Sequence, residues 1–216
     1  MRVDIYSDTV CPWCFLGKRR LELAVASRPQ YDIQVRWRPF ELNPELPMDG
    51  LARSAYLTLR GISGERAAQT DAELLRLGAA SGIQFRFDLI QRIPNTRWSH
   101  LLLAYAGRFG RQSEVKDRIM KAYFEEGVNI GDVEQLVRLG TEAGLPETES
   151  RHALILRSGQ DGVVAAERHA TVLGITGVPS FIFDGQYTIS GAQEVAIFAQ
   201  VLDQVAQFAS AKESPL

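Results

Sequence analysis

Long apolar runs, a charge excess of either sign and cysteine are all scarce in these 216 residues. No stretch approaches the roughly 20 consecutive apolar residues that a bilayer-crossing helix needs, so no membrane partner is expected. The opening Met1-Arg2-Val3-Asp4-Ile5-Tyr6-Ser7-Asp8 breaks its apolar residues with charges too often for a secretory signal. A cytoplasmic location is therefore expected. With 24 Lys and Arg against 26 Asp and Glu, the formal net charge is −2. The concentrated basic face that nucleic acid demands is missing, which excludes that class of partner. The 2 cysteines and 3 histidines are also few. Structural zinc would need two ligands beyond Cys11 and Cys14, and His100, His152 and His169 are not paired in the sequence. Neither a metal nor a tightly bound cofactor is expected.

What is present is an ordinary folding composition, 45% hydrophobic and 23% charged, in a chain long enough to bury a core without disulfide staples. Cytoplasmic conditions disfavour a permanent structural disulfide, so a two-cysteine chain reads as redox-active or metal-binding, and the want of further ligands favours the first.

Val3 to Ser7 alternates apolar and polar residues of β-favouring type, as do Ile33, Val35 and Trp37 within 32–38. Between them Phe15 to Ser27 is rich in Leu, Ala, Lys, Arg and Glu and stops before Pro29, as a helix should. This β-α-β unit has the length of a parallel crossover. From Asn43 to about Gly174 the pattern becomes helical, with stripes at Val115, Ile119, Ala122 and Tyr123 and at Val133, Leu136, Val137 and Gly140. Ser180 to Phe183, an Asp184-Gly185 turn and Tyr187 to Ser190 spell a β-hairpin. A last helix carries Val195, Phe198, Leu202 and Val205 on one face and decays into the polar tail Lys212-Glu213-Ser214. The predicted fold class is α/β, with a helical insertion over 43–157 interrupting a discontinuous domain formed by 1–42 and 158–216.

Cys11-Pro12-Trp13-Cys14 falls where the first strand ends and the first helix begins. Thiolate is the nucleophile in disulfide exchange, and unpaired N–H groups at a helix start favour it at Cys11. Cys14, one turn on, can attack a mixed disulfide at Cys11 and release the substrate. It is expected to be the more buried and less acidic thiol. Pro12 suits the first helical turn.

Asp8-Thr9-Val10-Cys11-Pro12-Trp13-Cys14-Phe15-Leu16-Gly17-Lys18, together with Gly177-Val178-Pro179-Ser180-Phe181, resembles the DsbA-like thioredoxin superfamily, and within it the FrnE-like cytosolic branch. Pro94-Asn95-Thr96, 122–127 and Ser190-Gly191-Ala192-Gln193 extend the likeness over nearly the whole chain. The resemblance implies a thioredoxin fold with a helical insertion, a redox-active Cys11/Cys14 pair and a cis peptide at Val178-Pro179. It also implies protein or peptide disulfide and dithiol substrates, paired with the exposed backbone at Val178 by strand addition. Glutathione enters as a small-thiol co-substrate, and monomer and homodimer both stay open. Relatives often bury an acid six positions before the first cysteine, where this chain has Ile5. Asp8, Asp4 and Glu41 are the substitutes at hand, although Asp8 near a helix start reads more readily as a cap or a solvated charge. Trp13 is a candidate for an apolar docking surface. Asn95 and Thr96 are weaker ligand candidates that read first as a helix cap.

Two rival functions fit the same likeness. Similar folds serve 2-hydroxychromene-2-carboxylate isomerases and kappa-class glutathione transferases, glutathione-dependent enzymes that use one activating group near position 11. A redox-independent chaperone or peptide-binding module is the other. A second cysteine at position 14 makes sense where a disulfide must form, which favours the redox reading.

Overall fold

The computed structural model describes residues 1–213. Strand β1 (Arg2–Ser7) leads into helix α1 (Pro12–Ala26) and strand β2 (Gln34–Pro39), which pairs parallel to β1. The chain returns to this sheet only with β5 (Ser180–Phe183) and β6 (Tyr187–Ser190), giving the order β2-β1-β5-β6 with β5 antiparallel to both neighbours. Asp184 and Gly185 take φ of 48° and 71° in the hairpin turn, a region open to Asp and Gly at little cost. The last helix, α9 (Val195–Glu213), runs through Lys212 and Glu213, which the sequence pattern assigns to a tail. Ser214 of that tail lies outside the described residues.

The helical block comprises α2 (Arg53–Leu59), α3 (Gly64–Ala80), α4 (Arg97–Ala106), α5 (Gln112–Phe124), α6 (Val133–Glu142), α7 (Glu147–Ile155) and α8 (Gln160–Val172). It also contains a small sheet that the sequence pattern does not reveal, β3 (Leu51–Ala52) against β4 (Arg92–Ile93). Strands of two residues are too short to show a period.

Period-2 alternation sorts the sheet's side chains. Val3, Ile5, Trp37, Phe181 and Phe183 face a core closed by Leu21 and Ala24 of α1 and by Phe198, Leu202 and Val205 of α9. On the other face Tyr6 and Ile182 meet Ala170 of α8. A separate, larger core fills the helical block and takes in Cys11, Cys14, Phe15 and Leu16 from α1. The first helix is thus a wall shared by the sheet and the helical block, and the cysteines lie at its start, where the two meet. Gly17 permits the close packing of α1: a Cβ there would lie 3.1 Å from both the Pro179 and Phe181 rings.

Candidate active site

Cys11 is the N-cap of α1, and its Sγ accepts the Cys14 backbone N–H at 3.3 Å. The Val178–Pro179 peptide is cis. It faces the same sulfur, with Cys11 Sγ donating to the Val178 carbonyl at 3.8 Å. Segments 167 residues apart are therefore joined at one thiol. Pro12 is half-buried, as is Trp13, which packs on the rim of the helical core.

Both thiols are free and both are buried, Cys11 at 4% and Cys14 at 1% exposure. The expected order of acidity is reversed. Hydrogen bonding to Cys14, burial and repulsion by Cys14 push the Cys11 thiol well up. Burial raises Cys14 too, but its hydrogen bond with Cys11, the Lys116 charge, the Ser7 hydroxyl and the Asp8 amide outweigh that and bring it below the ordinary value. The physical cause is that one thiolate is held by the other sulfur's S–H, and the better-supported charge rests on Cys14. What distinguishes Cys11 is access rather than acidity.

Cys11 lines a cavity of about 300 Å³, and Cys14 does not. Trp13, Leu57, Phe87, Ile90 and Tyr123 make its wall largely apolar, and the Arg53–Asp71 ion pair at 2.6 Å adds a polar edge. On the cis-proline side a groove of about 360 Å³ runs past Val178, Pro179, Thr188 and Ser190.

Asp8 is neither a helix cap nor solvated. It is fully buried, accepting the Thr9 and Leu42 backbone N–H groups at 2.7 Å each and facing His100 Nε2 at 3.2 Å. Burial raises its carboxyl, but the His100 contact and the bonds from Leu42 and Thr96 hold it below the ordinary range. Asp4 is engaged by Arg2 and Arg38 at 2.8 Å each, and Glu41 by Arg97. Asn95 is buried and ties the start of α4, donating to the Leu46 carbonyl and accepting the Arg97 N–H, both at 2.9 Å. Thr96 is the N-cap residue, yet its side chain turns to Asp8 instead of capping.

Three residues at the site escape the sequence reading: Ser7, His100 and Lys116. Lys116 had a signal. It lies four and seven positions before Met120 and Tyr123, on the apolar face of α5, where a lysine is out of place.

Fold and site together define a thioredoxin-fold protein with a paired-thiol site at a helix start. The chain belongs to the DsbA-like thioredoxin domain family, whose model matches residues 2–203. It is 31% identical over 207 residues to the uncharacterized protein YwbO of Bacillus subtilis, spanning 94% of this chain and 96% of that one. The crystal structure of the probable DsbA oxidoreductase SCO1869 from Streptomyces coelicolor matches with a TM-score of 0.89 and 37% identity, covering 100% of this chain and 92% of that one. The structure of a 2-hydroxychromene-2-carboxylate isomerase shares the fold at 17% identity and a TM-score of 0.73, covering 100% of both chains. Among the described residues no helix is long and apolar enough to cross a membrane.

Proposed function

We propose that this protein is a dithiol–disulfide oxidoreductase of the FrnE-like cytoplasmic kind, with Cys11 attacking and Cys14 resolving. The reading rests above all on the hydrogen-bonded pair: Cys11 Sγ caps a helix, accepts the Cys14 N–H at 3.3 Å and lines a cavity. A protein or peptide disulfide would present a sulfur to Cys11 from that cavity, while its backbone runs along the groove at Val178 and Pro179. Apolar side chains of the substrate would rest on Trp13 and Pro12. Glutathione is the small thiol proposed as co-substrate, and no tightly bound cofactor or metal takes part. Asp8, Asn95 and Thr96 fix the loops around the thiols and leave the chemistry to sulfur.

A shared fold does not decide between this reaction and a glutathione-dependent isomerisation. The front cavity, large and apolar enough for a small aromatic substrate, supports that second reading. An equilibrium titration in glutathione buffers of varied ratio, quenched with acid and read by mass, separates the two. A reversible two-electron Cys11–Cys14 disulfide is the expected result. A glutathione adduct at Cys11 with no intramolecular disulfide at any ratio would move the protein to the isomerase or transferase class.

A further inference from the structure

In the proposed cycle a buried Cys14 must lose its proton before it can attack Cys11. Once Cys11 is held in a mixed disulfide it has no S–H left to support a thiolate at Cys14, and burial again favours the neutral thiol. The acids that the sequence offers as proton acceptors are held by other groups: Asp8 by Thr9, Leu42 and His100, Asp4 by Arg2 and Arg38, and Glu41 by Arg97.

Behind the thiols lies a second cavity, of about 220 Å³. Ser7, Arg38, His100, Gln112 and Lys116 set polar groups into a wall that is otherwise apolar, and at roughly 30 Å³ per water it holds several. Ser7 links this space to the pair: it lines the cavity, its hydroxyl donates to the Asp8 carbonyl at 3.5 Å, and it helps to lower the Cys14 thiol. Lys116 is 1% exposed, and its Nζ lies over the Trp37 ring at 5.2 Å. Among the described residues no carboxylate comes within ion-pairing distance of that Nζ, whereas buried Lys18 holds Glu22 and Asp117 at 2.6 Å each. A buried amine without a carboxylate partner is a group whose neutral form is within reach.

Resting on the oxidoreductase reading, we propose that Lys116 takes the Cys14 proton during resolution, by way of the Ser7 hydroxyl and the cavity behind the thiols. Cys11 first hands its proton to the Cys14 thiolate beside it and attacks a substrate disulfide, forming a mixed disulfide with one substrate sulfur and expelling the other as thiolate. The Cys14 S–H then passes its proton to neutral Lys116, and the Cys14 thiolate attacks Cys11 Sγ. The Cys11–Cys14 bond forms, the second substrate thiolate leaves with the electron pair, and the ammonium returns its proton to solvent. The substrate is reduced by two electrons and the cysteine pair oxidised by two; the reverse sequence makes a substrate disulfide.

The groups facing Lys116 are Cys11, Cys14 and Lys18 from α1, Asp8 before it, Arg38 from β2 and His100 from α4. Burial, the largest influence, lowers its ammonium to about 8 against the pull of both thiols and Asp8, so a usable neutral fraction exists near neutral pH.

The test is stopped-flow reaction of the reduced protein with the aromatic disulfide 5,5′-dithiobis(2-nitrobenzoate). The first chromophoric thiolate released reports attack by Cys11, and the second reports resolution by Cys14. Lys116→Met should slow the second phase about 100-fold at pH 7, the low end of what a positioned base contributes, and slow the first far less, by the loss of the charge that supports the thiolate of the reduced pair. Lys116→Arg keeps the charge but cannot accept a proton, so it should be as slow and should lose the rate rise centred near pH 8. Ser7→Ala, with Lys116 in place, should slow the same phase. A second phase at parental speed in Lys116→Arg would reduce Lys116 to a fixed charge and overturn the proposal, as would an unchanged second phase in Lys116→Met or Ser7→Ala. If the parent itself releases only one thiolate, the oxidoreductase reading fails. Titration of Cys14 in a Cys11→Ala background, with and without Lys116→Met, then tests the coupling alone: a shift keeps it and no shift removes it.

Discussion

Two cavities flank the cysteine pair, and they differ in chemistry. The front one, about 300 Å³, has Cys11 on its wall among Trp13, Leu57 and Phe87. The rear one, about 220 Å³, reaches Ser7, His100 and Lys116. Both walls are mostly apolar, and the difference lies in what they add: aromatic side chains around the Cys11 sulfur suit the docking of substrate carbon, and the hydroxyl, imidazole and amine of the rear space suit the passage of protons. Cys11 opens on the front space, whereas Cys14, one helical turn on, lines neither. The asymmetry in role then follows from placement, even though the better-supported negative charge of the reduced pair rests on Cys14.

The hardest blow to this comparison comes from exchanging sulfur for oxygen. Cys11→Ser should cost about 1000-fold or more in insulin-disulfide reduction. Cys14→Ser should keep the first attack and stall as a mixed disulfide, seen as an adduct by mass. Equal activity in Cys11→Ser would refute the assignment of the front cavity to the attacking thiol.

Next in size is the stability of the rear cavity. The unfolded chain keeps the Lys116 proton to 10.5, whereas the folded chain releases it at about 8. Between those values the unfolded state binds more protons, so the contribution of Lys116 to stability rises with pH and is flat below 8. Lys116→Met removes that slope. The variant should gain most over the parent below pH 8, and its advantage should shrink by about 3 kcal/mol by pH 10.5. Lys18→Met should go the other way and cost about 1 kcal/mol at neutral pH, because it takes from Glu22 and Asp117 their buried partner and leaves them only Arg19 and Lys121. Urea denaturation across pH, read as the difference from the parent, distinguishes the two lysines. Lower stability in Lys116→Met at pH 7 would show that the lysine is structural.

Much of this was legible before any coordinates. Val3, Ile5, Phe181 and Phe183 announce the sheet because a half-buried strand must alternate, and Val195, Phe198, Leu202 and Val205 announce α9 because its single buried face repeats with the helix. The thiols and Pro179 were legible through the motif and the resemblance. The rear cavity was not. Ser7, His100 and Lys116 come from β1, α4 and α5 and meet only when the helical block closes on the sheet, and no local period records such a meeting. Asp8 misled for a related reason: its partners His100 and Leu42 are 92 and 34 positions away, so nearby sequence suggested solvent.

The front cavity can be probed more gently. Trp13→Ala should raise KM about tenfold, roughly 1.4 kcal/mol, for peptides with apolar residues beside the disulfide. It should change KM far less for peptides flanked by glycine, with kcat nearly constant in both. Equal losses for the two peptides would mean that Trp13 supports the helix rather than the substrate.

The smallest effect belongs to a third buried cluster, which serves as the control. Glu167 of α8 sits beside Glu41, which Arg97 holds. Burial, then the Glu41 charge and a hydrogen bond with it, raise Glu167 to about 7 against the pull of Arg97. The unfolded chain ionises this carboxyl near 4.5, so between 4.5 and about 7 the folded state carries the extra proton and loses stability as pH rises. Glu167→Gln should therefore improve on the parent by about 1 kcal/mol on going from pH 5 to pH 8, a modest figure because the residue is partly exposed. Both phases of thiolate release should stay unchanged, since this cluster lines neither cavity. A slowed second phase in Glu167→Gln would mean that any buried charge near the sheet governs Cys14, and the special standing of the rear cavity would be lost.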